Sequence, residues 1–357
     1  MDALLTPVAK RLPRRRVLWG LGALAGLGAA GIAFRPGGDA LAGPQVLEGA
    51  TMGTSYTVKI AGRRLSPSRL EAVHADVHAA FTAVDERMSL YRPTSELSRL
   101  NAHPAGRLEV SPALFEVLEE AARVAVLSDG AFDPSVALLV DAWGFGPSGP
   151  HGLPSAAVVA KGRGTIGHAG LELDTATRTV SKAAPQLALD LGGIAKGKGV
   201  DEAARVLAAS GIEHFMVEAG GEIVTEGQNA EGRAWAIGIE EPDAWPRRAR
   251  IVLPSSGEAI ATSGDYRLFV EHAGRRYPHA IDPATGTPIA HGLAAVSVIA
   301  ENAMRSDALA TGLLVLGLER GMALADRLEL AAYFITRDDK GGLRDHGSAA
   351  FERRRAA

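Results

Sequence analysis

The sequence predicts an α+β fold, built as one domain behind an N-terminal targeting segment. Strand-like segments that alternate apolar and polar residues, and helix-like segments with apolar residues three or four apart, follow one another in mixed order. This order lacks the strict alternation of strand and helix that would favour a doubly wound parallel sheet. No internal repeat or long linker divides the chain, and 46% hydrophobic residues among 357 are enough for a large core.

Residues 1–42 are typical of a cleavable export signal. Basic residues from Lys10 to Arg16 precede an uncharged stretch, Val17 to Phe34, and Ala40-Leu41-Ala42 supplies a small-residue cleavage site. Arg14-Arg15 resembles the start of a twin-arginine signal, and five glycines keep the stretch only moderately hydrophobic. The alternative is an uncleaved membrane anchor, since the 18-residue stretch is just long enough to span a bilayer. We therefore expect a periplasmic mature chain, residues 43–357, with membrane contact only through an uncleaved leader.

Charge and cysteine content exclude several classes of protein. After residue 42 the chain holds 32 basic and 39 acidic residues, a net charge of −7. A mildly acidic body is not expected to bind nucleic acid. The chain has no cysteine, which excludes disulfides, thiolate metal sites, iron–sulfur clusters, a cysteine nucleophile and a lipid-bearing N-terminal Cys. Any bound metal must be held by oxygen or imidazole.

The first half of the mature chain predicts one strand and two helices. Thr54 to Ile60 alternates as a strand does, and Ser66 to Met88 places apolar residues along one helix face. A second helix begins after Ser111 as N-cap, with Pro112 at its first position, and ends by Gly130.

The second half predicts a strand from Leu187, a glycine turn, a helix to about Ser210, and then a β-rich region. Two further helices and a closing strand complete the domain. The β-rich segments, the helices and the closing strand are, in order, Ala234 to Glu240, Ala259 to Ser263, Ala294 to Ala300, Asn302 to Leu316, Glu319 to Leu328 and Ala331 to Thr336.

The glycine-rich stretch from Leu189 to Gly199 is a candidate phosphate site. It lies between the predicted strand and helix, where backbone N–H groups and the helix dipole favour anions. Gly192, Gly197 and Lys198 nearly match a Walker A loop, but Gly199 stands where a hydroxyl should hold magnesium. A nucleoside triphosphatase is therefore disfavoured, and a turn without a ligand remains the alternative.

Three further stretches carry candidate chemistry. Ala261 to Tyr266 places hydroxyls and a carboxylate around a glycine, as a ligand-binding turn or a simple Asx turn would. His279, in the stretch Tyr277 to Gly286, is a candidate general acid or base, although single histidines are often only packed or exposed.

Asp307 and Thr311 lie four apart in a predicted helix, so their oxygens share one face. With waters and phosphate oxygens they could bind magnesium. The alternative is a solvated Asp and a Thr bonded to its own helix. A zinc triad of His272, His279 and His291 has no supporting ligand spacing.

Together these segments resemble the ApbE family of FAD:protein FMN transferases, and the resemblance covers nearly the whole mature chain. The matching stretches occur in the family's order. They are Met52 to Thr54, Met88 to Arg92 with Ser95 to Leu97, Gly130 to Pro134, Trp143 to Gly146, Leu189 to Gly199, Ala261 to Tyr266, His279 to Gly286 and Asp307 to Thr311.

The resemblance implies an α+β catalytic domain with an FAD cleft. Its activity would be the Mg²⁺-dependent transfer of FMN from FAD to a Thr or Ser hydroxyl, releasing AMP and leaving a phosphoester. The acceptor would be an exported or membrane-associated redox protein with an FMN-binding domain. An FAD pyrophosphatase that forms FMN and AMP, and a non-catalytic flavin-binding protein of the periplasm, are the alternatives.

The resemblance also implies site residues. It makes His279 the catalytic acid or base, and Asp307, Thr311 and the backbone carbonyl of Gly193 the magnesium ligands. Three positions depart from the family pattern: Pro278 replaces a frequent Ser, Ala310 replaces a carboxylate found in some members, and the lipid-anchor Cys is absent. The implied FAD contacts are Met52, Tyr91, Ala131, Phe132, Asp133, Asp190, Lys196 and Ile281.

Overall fold

A computed structural model describes residues 43–356. The predicted signal segment, residues 1–42, lies outside the described residues. The helices are α1 (Pro67–Met88), α2 (Glu96–Ala102), α3 (Pro112–Leu127), α4 (Ala137–Ala142), α5 (Ala156–Arg163), α6 (Ala195–Ala209), α7 (Ala303–Arg327) and α8 (Ala349–Ala356). The strands are β1 (Gln45–Thr51), β2 (Thr54–Ile60), β3 (Gly106–Glu109), β4 (Leu171–Asp174), β5 (Thr179–Lys182), β6 (Phe215–Ala219), β7 (Glu222–Glu226), β8 (Trp235–Glu240), β9 (Ala249–Ser255), β10 (Glu258–Gly264), β11 (Phe269–His272), β12 (Arg275–Pro278), β13 (Ile281–Asp282), β14 (Thr287–Pro288), β15 (Leu293–Ala300), β16 (Ala331–Arg337) and β17 (Leu343–Gly347).

An eight-stranded sheet, in the order β1-β2-β6-β7-β10-β15-β16-β17, forms the centre of the domain. Every neighbouring pair in it is antiparallel. A three-stranded sheet β3-β5-β4 and the hairpins β8-β9, β11-β12 and β13-β14 complete the described β-structure. Antiparallel sheets combined with separate helices confirm the predicted α+β class.

Helices α1 and α6 cover one face of the large sheet. Helix α1 begins where the sequence predicts, because Ser66 accepts a hydrogen bond from the backbone N–H of Arg69 and Pro67 occupies the first turn. Its apolar face, which includes Val77 and Phe81, is fully buried against β2 and β6. This burial places the C-terminal end of α1 near the glycine-rich stretch.

The β8-β9 hairpin and helix α8 cover the opposite face. Trp235 and Ile237 of β8 pack with Tyr333 and Ile335 of β16, and Phe351 of α8 stacks on the Tyr333 ring with centroids 5.1 Å apart. The large sheet is therefore buried on both faces.

Helix α7 carries the Asp307 to Thr311 segment across the sheet. The backbone of Gly317 leaves helical geometry at φ 76° and ψ 179°, which confirms the prediction of two successive helices here. By length and mean hydropathy α7 is, among the described residues, the one helix able to cross a membrane. Its 14 buried residues identify it as a core helix.

One predicted strand is wrong. The chain from Leu187 to Asp190 forms no strand, because side chains and a turn satisfy its backbone. The Leu189 N–H donates to Oδ1 of Asn101, and the Leu189 carbonyl accepts from Nδ2 of the same side chain. The Asp190 N–H donates to the Pro134 carbonyl at 2.6 Å.

Strand pairing brings two turns and the end of β10 to one end of the large sheet. Thr51 pairs with Thr54 at the β1-β2 turn, and Ala219 pairs with Glu222 at the β6-β7 turn. Glu222 in turn pairs with Ala261, two residues before Ser263. Met52, the Gly220-Gly221 turn and the end of β10 therefore lie together.

Candidate active site

Lys196, Glu222 and Asp307 form a buried ionic cluster at this end of the sheet. Lys196 Nζ lies 2.8 Å from Oε1 of Glu222 and 3.5 Å from Oδ1 of Asp307. Both carboxyl groups are 1% exposed, and Oε2 of Glu222 has no hydrogen-bond partner. Oδ2 of Asp307 accepts the Gly197 N–H at 3.0 Å, so the start of α6 holds this carboxylate.

The protonation states in this cluster follow from burial and mutual attraction. Burial raises the pKa of Glu222 and of Asp307. Burial alone would lower the pKa of Lys196, but the two carboxylates outweigh it and raise that pKa above its ordinary value. Lys196 therefore remains an ammonium at neutral pH.

Thr311 and Gly193 lie beside this cluster. A methyl group on Gly193 would be 3.0 Å from Oγ1 of Thr311 and 3.3 Å from Cε2 of Phe132, so the glycine backbone passes close to both. Ser263 places its hydroxyl 3.2 Å from Thr311 Oγ1. Phe132 also packs against Gly312, where an added methyl would lie 3.3 Å from the Phe132 Cβ.

These oxygen atoms fit a hard divalent cation. A carboxylate, a hydroxyl and an adjacent glycine backbone are the donor types that Mg²⁺ prefers. Within residues 43–356, no group of three or more His, Cys, Asp or Glu side chains forms a metal site. Thr311 offers a hydroxyl one helical turn after Asp307, and the Gly193 backbone passes close to that hydroxyl.

His279 follows β12 directly and faces the same region. Its Nδ1 lies 3.1 Å from the Leu268 carbonyl, which can only accept, so Nδ1 carries the proton and Nε2 is left as an acceptor. Burial lowers the pKa of His279, the Leu268 hydrogen bond opposes that change, and Lys196 lowers it further. His279 is thus neutral at neutral pH, in the form that accepts a proton.

Tyr91 and Asp190 lie on the rim next to His279. The Tyr91 hydroxyl donates to the Phe145 carbonyl at 2.7 Å, and the Phe145 ring stands edge-on to the His279 ring. The Tyr91 side chain is nevertheless 68% exposed, so one ring face is open to a ligand. Partial burial of the hydroxyl raises the pKa of Tyr91, and the negative charges of Asp190 and Asp141 raise it further by smaller amounts.

Asp190 shapes the beginning of the glycine-rich stretch. Its Oδ1 accepts the Gly192 N–H at 2.7 Å, and burial raises the pKa of the Asp190 carboxyl group.

The turn from Ala131 to Asp133 is fixed from within the protein. Oδ1 of Asp133 accepts the N–H and hydroxyl of Ser135, and Oδ2 lies 3.2 Å from both the N–H and Nδ1 of His168. Asp133 is buried with these partners, so its carboxylate holds the turn that directs Phe132 toward Gly193. Ala131 is 8% exposed at the start of this turn.

Met52 and Ile281 border the site as apolar groups. Met52 has a positive φ of 41° in the β1-β2 turn, and its terminal methyl lies 2.6 Å from the position of a methyl added to Gly199. A side chain at Gly199 would thus displace Met52. Ile281 is buried with Trp143 and Phe145, beneath the segment that carries His279.

The stretch Ala261 to Tyr266 brings fewer polar groups to the site than its hydroxyls and carboxylate suggest. Ser263 reaches Thr311, but Asp265 accepts two hydrogen bonds from the Arg337 guanidinium, at 3.0 and 3.2 Å. Asp265 is therefore a structural partner of Arg337.

Sequence reasoning missed Glu222. Its signal is the Gly220-Gly221 turn, whose φ values of 69° and 110° require glycine, followed directly by an acidic residue at an inward position of β7. Nothing in the spacing indicates that this carboxylate meets Lys196.

Comparisons with known proteins agree with the architecture. The ApbE family model matches residues 52–334. An FAD:protein FMN transferase of Haemophilus influenzae is 40% identical over 309 residues, which cover 85% of this chain and 89% of the relative. The flavin transferase ApbE from Vibrio cholerae is 38% identical with a TM-score of 0.79, covering 87% of this chain and 98% of that one. The apo form of Pseudomonas stutzeri flavinyl transferase ApbE is 37% identical with a TM-score of 0.80, covering 89% and 98%. The match confirms the resemblance found in the sequence: this chain belongs to the ApbE family.

Proposed function

We propose that this protein is an FAD:protein FMN transferase, which moves FMN from FAD onto a Thr or Ser hydroxyl of an acceptor protein. Relatives 40% identical over most of the chain carry that name. The observation that carries the proposal is that Lys196, held between Glu222 and Asp307, lies close enough to His279 to contribute to the lowering of its pKa. Flavin binding alone needs neither a proton acceptor nor this concentration of charge.

The reaction balances with the groups present. The acceptor oxygen forms a bond to the phosphorus of the FMN phosphate, and the bond from that phosphorus to the AMP phosphate oxygen breaks. AMP leaves with the bonding electrons, and the hydroxyl proton passes to Nε2 of His279. The lowered pKa of His279 suits this role, because the ring is neutral before the step.

Lys196, together with Mg²⁺ when it is bound, would neutralise the negative charge of the pyrophosphate. Lys196 is 29% exposed and keeps its positive charge, so its N–H groups can donate to phosphate oxygens. Asp307, Thr311 and the Gly193 carbonyl would hold Mg²⁺. Bound there, Mg²⁺ would neutralise charge that develops on the phosphoryl oxygens.

The flavin nucleotide would occupy the rim between Tyr91 and the glycine-rich stretch. The open ring face of Tyr91 can stack on an aromatic ring of FAD. Met52, Phe132 and Ile281 supply apolar walls.

We further propose that the mature protein works in the periplasm, as its signal-like leader suggests. Its partner would be an exported or membrane-associated redox protein with an FMN-binding domain.

The test is AMP release from FAD and Mg²⁺ by the purified chain, measured with and without a candidate acceptor. Acceptor-dependent AMP release supports the transferase. Equal AMP release without acceptor identifies an FAD pyrophosphatase, and bound FAD with no AMP identifies a carrier.

A further inference from the structure

The loop that joins β8 to β9, residues 241–248, exposes an unusual side chain beside the site. Trp245 is 75% exposed, the highest value among large hydrophobic side chains of the described residues. Tryptophan is among the residues that most often dominate binding energy at protein interfaces. An exposed Trp at a loop tip is therefore a candidate anchor for a partner.

The same loop presents positive charge outward. The side chains of Arg247 and Arg248 are 64% and 68% exposed, and Arg267 next to them is 51% exposed. Their acidic partners Glu240 and Glu241 are only 17% exposed. Each guanidinium has five N–H donors, so one carboxylate leaves donors free for a partner.

Residues 241–248 are neutral in sum, with Glu241 and Asp243 against Arg247 and Arg248, and the mature chain as a whole has a net charge of −7. The exposed arginines are therefore positive groups on the surface of an acidic protein. Opposite charges steer association and select partners. The loop therefore favours an acidic partner.

Ion pairs attach the loop to the elements that carry the catalytic histidine. Asp243 lies 3.3 Å from Arg276 of β12, three residues before His279. Arg337 joins Asp243, at 2.6 Å, to Asp265, at 3.0 Å. Arg267, which pairs with Glu240, directly precedes Leu268, the residue that accepts from His279. A partner on this loop would lie next to the β11–β12 segment that precedes His279.

An open cleft lies against residues 241–244 of the loop. Its volume is about 280 Å³. Its lining includes Glu241, Asp243, Ala244, Arg250, Arg337 and Leu343.

We propose that Trp245, Arg247 and Arg248 form the docking surface for the acceptor protein, and that they bind an acidic segment next to its flavinylated hydroxyl. The inference rests on the proposed transferase function and specifies what its second substrate must present. FAD binding and the chemistry stay with other residues, namely those of the ionic cluster, His279 and the rim at Tyr91.

The test compares the full-length chain with the variants W245A, R247E/R248E and R247Q/R248Q. A purified apo protein with an FMN-binding domain serves as the acceptor, and two quantities are measured: direct binding by biolayer interferometry, and acceptor-dependent AMP release. We expect each variant to weaken binding and lower kcat/KM for the acceptor about 10-fold or more. FAD affinity and melting temperature should stay unchanged, and wild-type binding should weaken as NaCl rises.

The matched control is R63E/R64E, another adjacent arginine pair that is exposed. It follows the far end of β2, about 20 Å along the strand from the Met52 turn. The docking proposal is overturned if R247E/R248E and W245A bind the acceptor as the wild type does. It is also overturned if R63E/R64E loses as much acceptor affinity as they do. If the acceptor binds in a loop-dependent way but receives no FMN, the transferase proposal is refuted and the docking proposal is supported.

Discussion

Lys196 donates a 2.8 Å hydrogen bond to the buried carboxylate of Glu222. Glu222 comes from the sheet and Lys196 from the first turn of α6, so this contact fixes the ammonium over the end of the sheet. A second carboxylate, that of Asp307, lies 3.5 Å from the same ammonium. Glu222 thereby orients a group proposed to meet the pyrophosphate.

Replacing Glu222 with Gln should lower kcat/KM for FAD about 10- to 100-fold, because hydrogen bonds to charged groups contribute about 1.5–3 kcal/mol. Steady-state kinetics of AMP release measures this. Glu226→Gln, at the exposed end of the same strand, is the control and should behave as wild type. Full activity in Glu222→Gln would show that Lys196 does not depend on this partner.

Replacing Asp307 with Asn should reduce Mg²⁺-dependent turnover about 100-fold or more, since metal stabilisation of phosphoryl charge is worth several kcal/mol. Titrating AMP release against Mg²⁺ reports the effect. Glu319→Gln removes an exposed carboxylate from the same helix and should leave the Mg²⁺ response unchanged. A wild-type Mg²⁺ curve in Asp307→Asn would refute the metal assignment.

The pH dependence of kcat should show an acid limb with an apparent pKa below about 6.5, the ordinary value for histidine. Burial lowers the pKa of His279, so the base form persists to lower pH, and activity falls only when the pH drops through the lowered value. The contribution of His279 to the free energy of unfolding is fully present above its unfolded pKa. That contribution is lost as the pH falls from there through the lowered pKa of the folded state. His279→Ala should remove this limb together with most of the turnover; an unchanged profile would exclude His279 as the base.

Replacing Tyr91 with Ala should raise KM for FAD about 3- to 10-fold, as aromatic stacking contributes about 0.5–1.5 kcal/mol. Because the side chain is 68% exposed, the melting temperature should hardly change. Tyr91→Phe keeps the ring and loses only the bond to Phe145, so its KM should stay near wild type. Equal effects in both variants would assign the role to the hydroxyl.

Elements with local signals were predictable from the sequence. Ser66 and Ser111 cap α1 and α3 as their positions indicate, and Gly317 interrupts α7 where the apolar pattern breaks. The edge strand β17 was not predictable from the sequence. None of its five side chains is buried, so its sequence lacks the alternation of apolar and polar residues that marks a strand. The apolar run from Leu187 predicts a strand, but Asn101, distant in sequence, supplies its partners.

The site residues also divide into those that the sequence predicts and those that only the structure reveals. The motifs with Lys196, His279, Asp307 and Thr311 were found as separate stretches, and the fold brings them to one end of the sheet. Glu222 was missed because its role depends on a tertiary contact between β7 and α6, which no sequence spacing indicates. Sequence motifs identify the chemistry of each group, whereas partners set by tertiary packing require the structure.

The most direct test of the central claim is tandem mass spectrometry of an FMN-binding-domain acceptor incubated with the full-length chain, FAD and Mg²⁺. We predict an adduct of FMN mass on one Thr or Ser, formed in equal amount with AMP and absent with His279→Ala. AMP and free FMN with an unmodified acceptor that binds the chain would contradict the transferase account.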